Sequence, residues 1–273
     1  MKSLFFAIGV AIVSIVAAIA ASSAAWLFWD ALKATDREAF RVIIGAFAGA
    51  FFAYVFVRFG DALKKVYDRK ETNHTALVKL QHYFNDCLNT TSDNVFVVND
   101  CVGVLSEARL ASADVLPIYA NSFHQYPINR DLVADLTNVN FLNEVYSLNV
   151  TLHKMNHDLA SIDRFYSRLH DALLARNIDH ATYIANARQY RDKCTELKAF
   201  LLQLKVDLVR LFAATNILLK DKPFLVRVIQ TLVRRTYPKN FDALLQVEQT
   251  KVIAEMESSA KASAQKIREA QGK

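Results

Sequence analysis

Two histidines stand four residues apart in Leu-His-Lys-Met-Asn-His-Asp-Leu, residues 152–159. On a helix, His153 and His157 lie one above the other on a single face. That spacing can supply half of a metal site or an acid–base pair, and the rest must come from elsewhere in the chain. His74, His82, His124, His170 and His180 are scattered, and Cys87, Cys101 and Cys194 form no CxxC pair. There is no HExxH for zinc and no GxSxG for a nucleophilic serine. Residues 61–271 contain a single glycine, Gly103, so a glycine-rich phosphate cradle is excluded. With no nucleophile–base pair in sight, the sequence reads as that of a non-enzyme without metal or cofactor. A minor alternative places a catalytic site around His124, beneath the apolar and aromatic segment 111–128.

The element that carries His153 and His157 explains them better than chemistry does. Val145, Leu148, Leu152, Met155, Leu159, Ile162, Tyr166, Leu169 and Leu173 follow alternating three- and four-residue steps. After Arg-Asn-Ile-Asp the pattern resumes with Ala187, Tyr190, Cys194, Leu197, Leu201, Leu204, Leu208, Leu211, Thr215 and Leu218. This predicts two long heptad helices folded into an antiparallel, coiled-coil-like hairpin, with Asp179 as N-cap of the second. Counting Val145 as position a, His153 falls at b and His157 at f, both off the seam. Cys194 falls at a, as a buried thiol would. Acidic flanks on the first arm (Asp158, Asp163) and basic flanks on the second (Arg191, Lys193, Lys198, Lys205) predict facing charges, with Asp163 meeting Lys198.

Phe165, Phe200, Val206, Val209 and Phe212 widen the apolar stripe, so other helices must cover it. The nearest candidate is the segment with Leu77, Leu80, Phe84, Leu88, Val95, Val98, Val102 and Leu105 at helical spacing, as one helix or as two broken near Asn-Thr-Thr-Ser-Asp-Asn. Segment 111–128 is expected to be a packed crossing. The predicted domain is a three- or four-helix bundle over residues 61–222.

Residues 3–29 carry no charge, and a second uncharged run covers 42–57 between Arg41 and Arg58. About 20 apolar residues cross a bilayer core, so residues 1–60 are predicted to form a transmembrane hairpin. The run through Trp26–Trp29 favours an uncleaved helix, while residues 1–24 also resemble a cleaved signal peptide. Arg58, Lys64, Lys65, Arg69 and Lys70 follow the second run, which by the positive-inside rule puts the bundle in the cytoplasm. Three cysteines, an odd number, fit a reducing compartment. Gly45, Gly49 and Ala53 make a small-residue stripe for close helix packing, within the hairpin or between protomers.

Residues 223–273 are read as a basic amphipathic helix followed by a solvated helical tail. Arg227, Arg234, Arg235 and Lys239 are the candidate contacts to anionic lipid or a partner protein. Net charge is +6 with acids interleaved, which weighs against nucleic acid. Together these features predict an all-α, multi-pass inner-membrane protein: a membrane-anchored scaffold or interaction subunit, as a homo-oligomer or within a membrane complex. The alternative is an oligomeric pore or effector gated by its cytoplasmic bundle.

Overall fold

The computed structural model describes residue 23 and residues 34–112, 120–129, 131, 135–220, 237 and 240–271. Its elements are all helical, and no strand occurs among the described residues. In chain order they are α1 (Ala34–Val104), α2 (Glu107–Ser112), α3 (Val139–Leu174), α4 (His180–Leu219) and α5 (Phe241–Gln271). The first apolar run lies outside the described residues apart from Ser23, so the predicted membrane hairpin has no described partner for its second arm.

The chain divides into two compact units, the second comprising His74–Lys222 and Arg235–Lys273. In the first unit, α1 carries the predicted second membrane segment. Its apolar side chains point outward: Val42, Phe47 and Phe56 are each about 70% exposed. The helix does not stop after this segment. It runs unbroken for 71 residues, because no proline interrupts it and Gly60 alone costs a helix only about 1 kcal/mol.

The break considered at Asn-Thr-Thr-Ser-Asp-Asn does not occur. Thr90, Thr91 and Ser92 turn their hydroxyls back onto the carbonyls of Asp86, Cys87 and Leu88. Each hydroxyl is satisfied within the helix and does not compete with it.

In the second unit, the heptad residues form the core. Every named seam residue of α3 and α4 is buried except Met155, Ile162 and Leu218, which are half-buried against the same cluster. Asp179 is the N-cap of α4, its carboxylate accepting the Thr182 N–H at 2.8 Å. The turn before it is a Schellman closure. Asn177 N–H reaches Ala172 O, Arg176 N–H reaches Leu173 O, and Arg176 has φ 57°, in the left-handed region where glycine is usual.

The register of the hairpin differs from the one expected. Tyr166 stacks on Tyr190, centroids 4.0 Å apart and 10° from parallel. This brings Lys193, not Lys198, to the level of Phe165, with its ammonium 5.2 Å from the ring centroid. Asp163 is taken by the Phe123 N–H, and Arg191 turns to Glu107 of α2. The flanking charges therefore serve loops and neighbouring elements. Across the two arms, Arg210 meets Glu144 at 3.4 Å, in a half-exposed pair worth little.

The tail also departs from its expected solvation. Phe241, Leu245, Glu248 and Val252 lie on one face of α5 and are buried in the bundle. Glu248 anchors this helix: Lys220 donates to it at 2.6 Å and Asn216 at 3.3 Å, while Gln81 of α1 donates to Asn216 at 2.8 Å. The Lys220 bond holds the Glu248 carboxyl below the usual range, against the opposing effect of burial. A depressed folded pKa stabilises above the unfolded value, about 4.3, and that contribution is lost as pH falls through the folded pKa. Glu248→Gln should therefore lower Tm at pH 7, and the difference from wild type should shrink below about pH 4, in thermal scans at the two pH values.

Candidate functional site

Between α1 and α3 runs a segment without regular structure, residues 120–129. Side chains of the two helices hold its main chain. Asn94 of α1 accepts the His124 N–H at 2.7 Å and donates to the His124 carbonyl at 2.9 Å. Asn156 of α3 does the same for Tyr126, at 2.7 and 2.9 Å. The Phe123 N–H donates to Asp163 at 3.1 Å. Burial raises the Asp163 carboxyl, partly offset by this bond.

Phe123 and Tyr126 are buried, and the Tyr126 hydroxyl donates to Thr91 at 3.1 Å. Ser122, His124 and Gln125 are exposed. Of the packed crossing expected over 111–128, residues 113–119 lie outside the described residues, and the described part, 120–128, is packed through two aromatic anchors with its intervening side chains in solvent. Two acids near this segment are committed to its other groups: Asp163 accepts from the Phe123 N–H and Asp100 accepts from Asn121.

Deeper in the bundle, Cys101, Cys194, Tyr166 and Tyr190 share the core. All are nearly or fully buried, and the Cys101 sulfur lies 3.7 Å from the Tyr190 hydroxyl. The neighbouring Cys194 thiol pulls the Cys101 thiol down, and Cys101 together with burial pushes the Cys194 thiol up. Burial pushes Cys87 up to about 12. Thiol reagents act on exposed thiolates. Ellman's reagent should therefore find no fast-reacting cysteine in the folded chain and three after denaturation.

A groove of about 530 Å³ opens between α4 and α5, lined by Leu202, Lys205, Val206, Val209, Gln246, Gln249, Thr250 and Ile253. The sequence led to the expectation that other helices cover this side of the hairpin. Val209 and Phe212 are covered, but Phe200 and Val206 remain exposed. Val206 lines the groove against α5 and stays 58% exposed, while Phe200 is 66% exposed.

The residues singled out from the sequence do not converge. His153 and His157 are both exposed, as their b and f positions require. Gly45, Gly49 and Ala53 line one stripe of α1. Among the described residues, nothing beyond the helix's own neighbouring backbone lies within 4 Å of a Cβ built on either glycine, and Ala53 is exposed. Arg227, Arg234, Arg235 and Lys239 lie outside the described residues. Among the described residues no group of three or more His, Cys, Asp or Glu side chains could hold a metal.

No family model matches the chain, and no curated protein or solved structure shows significant similarity to it.

Sequence reasoning missed the main-chain clamp. Its signal was a polar pair on an apolar stripe. Cys87, Thr91, Asn94, Val98 and Cys101 step by three and four along one face of α1, and Thr91 and Asn94 are fully buried there. A buried asparagine needs a committed partner, and the irregular segment 120–129, a strap across α1 and α3, supplies it.

Proposed function

We propose that the protein is a membrane-anchored helical scaffold or interaction subunit that presents its bundle on the cytoplasmic side of an inner membrane. The observation that carries this reading is the contrast between the two units. From His74 onward the helices bury a continuous core of their own. From Val42 to Phe59, α1 leaves most of its large apolar side chains exposed, with Ala48, Phe51 and Val55 half-buried on one face, and none of its 18-residue apolar window is buried. A soluble monomer rarely exposes a contiguous apolar surface of that kind, whereas lipid is a suitable solvent for it. Arg41 and Arg58 flank the segment and can reach the headgroups. In this reading the basic residues Arg227, Arg234, Arg235 and Lys239 meet anionic lipid or a partner, and the small-residue stripe packs membrane helices.

The second reading is an oligomeric pore or effector. It is favoured by the Gly45–Gly49–Ala53 stripe, which nothing among the described residues covers and which a second protomer could fill. Native mass in detergent, with conductance in liposomes, separates the two. The scaffold reading expects no leak and a bait-specific partner on pull-down from solubilised membranes. Defined oligomers with conductance would replace it with the pore.

A further inference from the structure

The strap is held as a bound peptide is held. Asn94 and Asn156 each bond both main-chain groups of one residue, His124 and Tyr126 respectively. Asp163 takes the N–H of Phe123. These bonds read the backbone and not the side chains of the strap. Identity is read chiefly at the buried rings of Phe123 and Tyr126, three residues apart, and at the exposed edge by Asn121, whose side chain donates to Asp100 at 2.9 Å. Main-chain hydrogen bonds for affinity and side-chain sockets for selectivity make up a general mode of recognising extended peptides. The residues between and beside the anchors face solvent, while the rings of Phe123 and Tyr126 belong to the bundle core, so release of the strap costs the burial of those two rings. The same core holds Phe84, Leu152, Tyr190 and Leu208, contributed by α1, α3 and α4.

We infer that the cleft between α1 and α3 is a receptor for an extended peptide bearing an aromatic residue and, three positions on, a tyrosine, and that the chain's own strap occupies it in cis. A partner protein carrying such a segment would displace the strap. With the cleft empty, Asn94 would be left buried without its main-chain partners, which disfavours an open state. The strap therefore acts as a built-in competitor that sets the threshold for binding. This deepens the interaction reading and rests on it for its biological setting.

The probe is a fluorescein-labelled peptide with the sequence of residues 120–128, Ala-Asn-Ser-Phe-His-Gln-Tyr-Pro-Ile, titrated by anisotropy into the full chain in detergent. The F123A/Y126A chain, with its internal competitor weakened, should bind saturably and at least about tenfold more tightly than wild type, whose cleft is mostly occupied. Adding N156A should remove that binding, and a peptide with both aromatic residues changed to alanine should not bind. The inference is overturned if a helical F123A/Y126A chain shows no saturable binding, or if binding survives N156A. Should the double variant lose its helical signal, the wild-type chain decides. Excess peptide should accelerate hydrogen exchange across residues 121–127 and not in α3 or α4, and unchanged exchange there overturns the inference. Neither assay depends on membrane attachment, so failure here is distinct from failure of the scaffold reading.

Discussion

Tyr190→Ala should cost the bundle about 3–5 kcal/mol, the range for deleting a large aromatic side chain from a packed core. Tyr190 is 1% exposed, stacks flat on Tyr166 of the opposite arm, and points its hydroxyl at Cys101 of α1. One side chain therefore joins three helices. The stacked pair adds about 0.5–1.5 kcal/mol beyond the area it buries. Tyr190→Phe keeps the ring and should cost only about 1 kcal/mol, the net worth of a typical buried hydrogen bond. Phe200→Ala is the control. It removes a ring of similar size from α4, but one that is 66% exposed, and should shift stability by no more than about 0.5 kcal/mol. Urea denaturation followed by circular dichroism at 222 nm gives all three values. Equal losses at Tyr190 and Phe200 would mean that the hairpin seam is not the core. Domains of this size have only about 5–15 kcal/mol to lose, so the alanine variant at Tyr190 should have a clearly lower urea midpoint.

The second large effect concerns the first unit. Ala50→Arg places a guanidinium at the middle of the apolar segment bounded by Arg41 and Arg58. A central arginine raises the apparent free energy of membrane insertion by about 2.5–3.5 kcal/mol, some two orders of magnitude in the inserted fraction. Insertion of residues 38–60 can be read with a glycosylation reporter in microsomes. Ala50→Leu should insert at least as well as wild type. An arginine variant that inserts equally well would remove the basis for calling this segment a membrane span. The same substitution in a solvent-exposed helix would be close to neutral, which makes the contrast diagnostic.

How much of this could be read from the sequence depended on periodicity. The arms of α3 and α4 were legible because apolar residues recur every 3.5 positions over several turns, and that spacing admits only one seam. The Asp179 cap was legible because a short acidic side chain before a periodic run has one common use. The register was not. Facing charges suggested Asp163 opposite Lys198, but ring packing of Tyr166 on Tyr190 outweighs exposed ion pairs, which contribute little.

The burial of the first half of α5 was missed because its stripe is sparse. Phe241, Leu245 and Val252 are interrupted by Glu248, whose charge suggests solvent until Lys220 and Asn216 are seen to meet it. The main-chain clamp was hidden for a different reason. Asn94 and Asn156 make bonds to a segment more than two dozen residues away, and no local pattern encodes such a partner. The exposed Phe200 and Val206 show the converse: a wide apolar stripe predicts a cover, but not that the chain itself provides it.

The central claim is that the α1 segment from Val42 to Val57 lies in a bilayer with the bundle on the cytoplasmic side. It is tested most directly by single cysteines introduced at Phe47 and at Asp68, since the three native thiols are buried. Each is treated with a membrane-impermeant maleimide in intact cells and in sealed inside-out vesicles. The expected result is that Phe47→Cys stays unlabelled in both, and that Asp68→Cys is labelled in inside-out vesicles and protected in cells. Rapid labelling of Phe47→Cys in either preparation, or of Asp68→Cys in intact cells, would contradict it.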